Sequence, residues 1–359
     1  MDNDTTNRPS LIAGPCAAES EEQVLETARA LVSCRPILRA GLWKPRSQPD
    51  TFQGAGDKGL VWLRRVSEET GLPTATEVAT PEQLRAALQA GVSYVWIGAR
   101  TAANPIDVQT LATTLRTLLA TGEATGLKGV MVKNAMHEDA PLWIGNIRRI
   151  QEAVSGCHIP VWAVHRGCNH LPCWGMAYDL REAVPEVPLI LDPSHLSGDA
   201  EQIAPLCRKA AELAYDGLMI EVHPSPCSAL SDARQQITPE QMLEIWKALP
   251  KTHERASDLP LRWLRAMMDE VDDQLWQTIH RRMAISRRIG EWKRQEGVAV
   301  RQPARFEDIL TQRIKKETKN GLTRETIVAI CQALHEESIR QQGKRGCKVS
   351  FCNTDFTKR

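Results

Sequence analysis

The sequence predicts an α/β chain in which a (β/α)8 TIM barrel is followed by a small all-α three-helix domain that dimerises. Three observations carry this. Over residues 10–250, eight short apolar runs alternate with amphipathic segments. Polar and charged residues gather just after each run, and beyond Pro260 the alternation gives way to an unbroken three-four rhythm. Eight β/α units in about 240 residues fit a closed barrel, typically about 250 residues, better than an open doubly wound sheet.

The runs are Leu11 to Ala13, Ile37 to Ala40, Thr74 to Thr76, Tyr94 to Ile97, Gly129 to Val132, Val161 to Val164, Leu189 to Leu191 and Leu218 to Ile220. Between them, segments such as Glu21 to Val32, Pro81 to Ala90, Val108 to Leu119, Pro141 to Val154 and Ala200 to Ala214 repeat apolar residues every three or four positions, as helices require. Residues 1–250 are therefore expected to form the barrel, and the polar, proline-bracketed stretch 251–260 a linker. Leu261, Leu264, Met268, Val271, Leu275, Ile279 and Met283 then mark one helix of more than 30 residues. A second helix ends near Asn320-Gly321 and a third runs from Thr323 to Gln342, giving a helical domain over 261–342. So long a helix on so small a core needs a partner surface, which points to a homodimer or a higher homo-oligomer. The tail 343–359 is basic and aperiodic, and is expected to be disordered.

Composition narrows the function. Of 359 residues, 42% are apolar and 25% charged, and the net charge of +1 offers nothing to nucleic acid or an anionic membrane. No apolar run approaches a membrane span and the first residues lack a signal-peptide core, so a cytoplasmic location is expected. None of the spacings among the ten cysteines makes a zinc ribbon.

In a barrel the residues following the strands converge on one mouth. Glu221 and His223 close the eighth run, and Asp232 follows nearby. Cys16, His195, Glu221 and Asp232 supply a thiolate, an imidazole and two carboxylates, a set suited to a divalent transition ion: manganese (Mn2+) first, with iron (Fe2+), cobalt (Co2+) or zinc (Zn2+) as alternatives. Lys44, Arg46, Arg100, Lys133 and Arg166, with Lys128 nearby, form a second set suited to phosphate and carboxylate groups. His165 precedes Arg166 and is counted with the catalytic candidates.

These residues resemble a known family. Gly14-Pro15-Cys16, Lys44-Pro45-Arg46, Gly98-Ala99-Arg100, His165-Arg166-Gly167, Asp192-Pro193-Ser194-His195, and Glu221-Val222-His223-Pro224 with Leu230-Ser231-Asp232 are similar to the motif series of the I-beta 3-deoxy-D-arabino-heptulosonate 7-phosphate (DAHP) synthases. The resemblance implies condensation of phosphoenolpyruvate with erythrose 4-phosphate, the entry to aromatic amino acids. It also implies that Cys16, His195, Glu221 and Asp232 bind the metal, that Arg100, Lys133 and Arg166 hold phosphoenolpyruvate, and that Lys44, Pro45 and Arg46 face the aldose phosphate. Ser47 stands where a threonine is common. A rival within the same chemistry takes arabinose 5-phosphate, as octulosonate synthases do; Lys44-Pro45-Arg46 in place of a Lys-Ala-Asn-Arg pattern argues against it.

In the long helix Arg265, Arg282 and Lys293 lie 17 and 11 residues apart, near whole numbers of helical turns and so on one face. With Arg305, Ser338 and Gln342 they resemble the all-helical chorismate mutases. That resemblance implies conversion of chorismate to prephenate, with Arg265 donated by the partner chain of an interlocked dimer. Phe306 stands where some relatives carry a glutamate that contacts the substrate hydroxyl. Two readings of the helical domain stay open: a mutase, or a ligand-sensing dimerisation module. In both, prephenate or chorismate bound there is expected to inhibit the barrel.

Overall fold

The structure, a computed structural model, describes residues 10–44, 51–250 and 257–343. Pro45, Arg46 and Ser47, most of the expected linker and the tail after Gly343 lie outside the described residues. Eight parallel strands close into a barrel in sequence order: β1 (Ser10–Gly14), β2 (Ile37–Arg39), β3 (Thr74–Val78), β4 (Tyr94–Ile97), β5 (Gly129–Lys133), β6 (Val161–His165), β7 (Leu189–Leu191) and β8 (Gly217–Glu221), with β8 pairing back onto β1. The helices are α1 (Glu21–Leu31), α2 (Lys58–Thr70), α3 (Pro81–Gln89), α4 (Ala99–Ala102), α5 (Pro105–Ala120), α6 (Ala140–Ala153), α7 (Trp174–Ala183), α8 (Pro193–Ser197), α9 (Ile203–Glu212) and α10 (Pro239–Ala248).

Local chemistry sets the helix starts. Ser20, Thr80, Asn104 and Asp139 each accept a backbone N–H of the first turn, and proline follows Thr80 and Asn104 directly, where its missing donor is harmless. Thr238 and Gln241 form a reciprocal capping box at α10. Each strand contributes one residue to an apolar cluster inside the barrel: Ile12, Ile37, Ala75, Trp96, Met131, Val164, Ile190 and Met219. A second, larger core lies between the strands and the helices around them.

Three helices follow: α11 (Leu259–Gln295), α12 (Pro303–Glu317) and α13 (Arg324–Gly343). The chain divides into compact units at residues 1–268 and 269–359. The expected linker is shorter than its composition suggests, because Leu259 and Pro260 already belong to α11; proline fits a first turn, whose N–H groups have no intrahelical acceptor. The opening of α11 also belongs to the first unit. Trp263 and Ala266 are each 1% exposed within the barrel's outer core, and Met267 packs against it.

Candidate active site

Strand pleat decides what enters the mouth. Side chains two residues apart share a face, so two steps beyond the inner apolar cluster come Gly14, Arg39, Glu77, Gly98, Lys133, Arg166, Asp192 and Glu221. Six are charged, and the contacts agree with the pleat. Arg39 Nη2 lies 3.1 Å from Glu221 Oε1, and Lys133 Nζ lies 2.6 Å from Asp192 Oδ2. Trp96 forms the floor, with the Arg39 guanidinium 4.8 Å and the Lys133 ammonium 5.9 Å from its ring centre, and its indole N–H donates to Glu77 at 3.2 Å. The two glycines are steric necessities. A Cβ at Gly98 would sit 1.9 Å from Glu77 Oε1, and one at Gly14, whose φ is +149°, would sit 2.2 Å from the Arg39 carbonyl oxygen.

The ring is buried and internally paired. Burial alone would raise the Asp192 carboxyl, but the His195 and Lys133 charges reverse this and hold it well below the usual carboxylate range. Burial lowers Lys133 despite Asp192 beside it, and it lowers Arg166 as well, with Arg100 near enough to add repulsion. Arg166 is oriented through its backbone: its N–H donates to Asn134 Oδ1 at 2.7 Å, while Asn134 Nδ2 donates to the Gly167 carbonyl at 3.0 Å. Arg100 itself is exposed at the start of α4.

Beside this ring, ligand atoms of Cys16, Glu221 and Asp232 lie within 4.8 Å of one another. Cys16 Sγ is 3.0 Å from Asp232 Oδ2 and 3.0 Å from Lys44 Nζ. His195 lies outside that trio but reaches Glu221 Oε1 at 3.6 Å through Nε2, while its Nδ1 is anchored 2.9 Å from Asp192. An imidazole tethered to a carboxylate at one nitrogen and presenting the other is the usual arrangement of a metal-binding histidine. Among the described residues Glu221 Oε1, which is buried, accepts no hydrogen bond, Arg39 being only an ion-pair neighbour, while Oε2 accepts from Gln235 at 2.7 Å. Burial, with the Glu221 charge nearby, pushes the Cys16 thiol well up. A soft sulfur, two carboxylates and an oriented imidazole around an unsatisfied oxygen fit a divalent transition ion. Gln236 ties the parts together, accepting from Cys16 N at 3.0 Å and donating to the Ser231 carbonyl at 2.7 Å. His223 is buried but turned to Glu19, 3.5 Å away.

His165 is not in the mouth, which corrects its place among the catalytic candidates. With Val164 inside, the pleat turns His165 outward, where Nδ1 lies 2.8 Å from the Tyr215 hydroxyl and the ring packs against Trp143 and Trp174. Burial there lowers it to about 3, so it is neutral. Conversely, Arg39 was missed, although counting two from Ile37 would have found it. Glu77 and Asp192 were visible as strand ends, but their roles as anchors needed the fold. Gln235 and Gln236 carry no local sequence signal.

In the second unit, Arg282 donates through Nη1 to the Leu334 carbonyl at 2.9 Å and to the Ser338 hydroxyl. Lys293 is buried and donates to the Val300 carbonyl at 2.9 Å. Gln342 is buried with Oε1 unsatisfied, where α13 passes so close to α11 that a Cβ on Gly290 would be 2.6 Å from Gln342 Cα. Arg305 is exposed on α12, and the next residue, Phe306, stacks on His335 with ring centres 4.0 Å apart. Arg265 is exposed and belongs to the first unit.

Residues 3–257 match the DAHP synthetase I family, which is well over half the chain. The chain belongs to that family. Residues 264–343 match chorismate mutase type II, so two enzyme families meet on one chain, a transferase-type aldolase and a mutase. The chain is 30% identical over 256 residues to a phospho-2-dehydro-3-deoxyheptonate aldolase of Thermotoga maritima, covering 67% of this chain and 69% of that protein. It is 26% identical over 254 residues to a 2-dehydro-3-deoxyphosphooctonate aldolase of Wolinella succinogenes, covering 65% and 94% respectively. The crystal structure of a DAHP synthase from Thermotoga maritima superposes with a TM-score of 0.57 at 26% identity, covering 67% of this chain and 68% of the other. Among the described residues no helix is long and apolar enough to cross a membrane.

Proposed function

We propose that the barrel condenses phosphoenolpyruvate with erythrose 4-phosphate to DAHP and phosphate, using a divalent ion held by Cys16, His195, Glu221 and Asp232, and that the helical domain converts chorismate to prephenate. The observation that carries the first half is the inward ring of Arg39, Lys133 and Arg166 beside the Cys16, Glu221 and Asp232 trio. The ion, when bound, would supply Lewis-acid polarisation of the aldehyde oxygen. The chain's own groups do the rest. Arg39, Lys133, Arg166 and Arg100 hold the carboxylate and phosphate of phosphoenolpyruvate, and Lys44 with Arg46 faces the aldose phosphate. C3 of phosphoenolpyruvate adds to the aldehyde carbon, water adds at C2, and phosphate leaves by C–O cleavage. Because Glu221 and Asp192 already fix Arg39 and Lys133, little reorganisation of these two accompanies the shift of charge.

For the helical domain, Arg282 and Lys293 would hold the substrate carboxylate and ether oxygen, with Arg305, Ser338, Gln342 and Arg265 of a second copy completing the site. A homodimer is supported by the exposed apolar stripe Leu264, Met268, Val271, Leu275 and Ile289 along α11, spaced by whole turns and left open to solvent. Prephenate or chorismate bound there lowers barrel activity, coupling the two catalysts on one chain.

The test is the ultraviolet absorbance of phosphoenolpyruvate with erythrose 4-phosphate, after chelation and Mn2+ re-addition, with and without prephenate. Metal-restored loss that prephenate suppresses is the expected result. Loss only with arabinose 5-phosphate, the substrate class that the octonate-forming relatives suggest, would overturn the choice of aldose. Loss indifferent to prephenate would overturn the feedback.

A further inference from the structure

We infer that Trp263 is a positioning residue for the barrel reaction, acting through Tyr215 and His165 on Arg166. The inference rests on the reading of Arg166 as a phosphoenolpyruvate ligand. Trp263 lies between the two family matches, which end at residue 257 and begin at residue 264, so neither accounts for it. It opens the long helix yet belongs to the first unit, and it is 1% exposed. Its indole meets Tyr215, Tyr178 and Trp174 at centroid distances of 5.6, 6.3 and 6.4 Å, with the Arg181 guanidinium 6.0 Å from the ring centre. Met267, one turn on, packs against the same core, and a Cβ added to Gly175 of α7 would lie 3.4 Å from its Cε, so this first turn is seated at more than one point.

The chain of contacts then leads inward. Tyr215 stacks on His165 with an interplanar angle of 9°, its hydroxyl 2.8 Å from His165 Nδ1, and Trp174 meets the same imidazole edge-on. His165 points outward at the last position of β6, and Arg166 follows it with its side chain in the mouth. Because neighbouring residues of an extended chain face opposite ways, a tilt of the His165 ring is a tilt of Arg166 in the other direction. Burial keeps the imidazole neutral and it is wedged among rings, so it acts by shape and through its hydrogen bond to Tyr215. Among the described residues the Trp263 indole N–H has no hydrogen-bond partner, so its contribution is the filling of space. Misplacing a charged ligand by even 1 Å is enough to lower catalysis by about a hundredfold, so a wedge two contacts away is a credible lever. The first turn of α11, which belongs to the first unit, thereby becomes part of the barrel's active-site support.

The experiment uses the full chain loaded with Mn2+ and three variants, W263A, W263F and Y215F. Phosphoenolpyruvate affinity is measured by calorimetry, KM is measured for both substrates, and thermal unfolding is followed in parallel. W263A is expected to weaken phosphoenolpyruvate about tenfold while the KM for erythrose 4-phosphate stays within about twofold, since Lys44 stands after β2, away from this wedge. W263F, which keeps an apolar ring and loses no hydrogen bond, should recover most of the affinity. Y215F removes only the hydroxyl at His165 and should weaken phosphoenolpyruvate about threefold. If W263A does not fold, Y215F decides. Unchanged phosphoenolpyruvate affinity in the folded variants, whatever their melting temperature, or equal rises in both KM values, would overturn the inference. Failure of the unaltered chain to bind phosphoenolpyruvate would instead overturn the reading of the site itself.

Discussion

The barrel mouth and the helical pocket, each proposed to hold a multiply charged small acid, are built in opposite ways. In the mouth the cations are buried and already paired, Arg39 with Glu221 and Lys133 with Asp192. In the helices Arg282 is exposed, its donors rest on a backbone carbonyl and one hydroxyl, and Arg265 and Arg305 stand in solvent. Among the described residues the first site draws its paired charges from one chain, whereas the proposed second site leaves Arg265, Arg282 and Arg305 exposed. The difference follows from architecture. A barrel surrounds its mouth with eight strand ends, whereas three helices bury only a few polar side chains such as Lys293, Ser338 and Gln342 between them.

The sharpest test of this contrast is Asp192→Ala. It leaves Lys133 buried without its counter-ion and frees His195, whose backbone N–H and Nδ1 both rest on Asp192. Breaking a buried pair from one side costs about 3–5 kcal/mol of stability, and phosphoenolpyruvate turnover should fall by roughly a hundredfold or more in whatever remains folded. Mutase turnover should stay within about twofold. Calorimetric melting and the two assays read this together. Equal damage to both activities would mean that the two sites are not built separately.

Arg282→Ala is the mirror experiment. Removing a charged group that holds and orients a substrate carboxylate should lower chorismate turnover by roughly a hundredfold. Its stability effect should stay below about 1 kcal/mol because the side chain is exposed. A large drop in melting temperature would show that Arg282 holds α11 to α13 as structure, and would break the contrast.

How much of this was readable from the sequence also differs between the regions. The eight strands declare themselves because a barrel strand buried on both faces is a short apolar run. The trio Cys16, Glu221 and Asp232 stands out by residue type. Pleat was the neglected signal: the step of two that brings Lys133 and Asp192 inside also brings Arg39 inside and turns His165 out. Gln235 and Gln236 hold Glu221 and Cys16 from a loop without periodicity, so only the fold brings them to view. In the helical domain, spacing placed Arg282 and Lys293 on one face. It could not show that Trp263, on the same helix, is spent on the barrel, because a three-four rhythm does not say which surface it faces.

Acid should separate the regions again. His165 is lowered to about 3 by burial, against about 6.5 in an unfolded chain. Above pH 6.5 both states are neutral at this residue and nothing is lost. As pH falls below 6.5 the unfolded chain takes up a proton that the folded barrel refuses until near pH 3, so stability declines by about 1.4 kcal/mol per unit. By pH 5 the barrel should have lost about 2 kcal/mol, and His165→Gln should flatten that slope in denaturant titrations at pH 7 and pH 5. A slope unchanged by the substitution would place the acid sensitivity elsewhere.

The smallest expected effect tests the helical pocket's departure from its relatives. Phe306 stacks on His335, which shares a face of α13 with Ser338 and Gln342 by spacings of three and four residues. Burial and the neighbouring charges of Arg282 and Arg301 lower His335, so the stack is an aromatic wall that disfavours a further positive charge beside a cationic pocket. A glutamate at 306 would place an acceptor for the substrate hydroxyl there and raise His335 by its charge. In a half-open site one such hydrogen bond contributes about 0.5–1 kcal/mol, so Phe306→Glu should raise kcat/KM for chorismate by roughly two- to fivefold and leave barrel turnover alone. A fall would mean that the aromatic wall itself shapes the pocket. The helical site, like the barrel's, would then depend on packing finished before the ligand arrives.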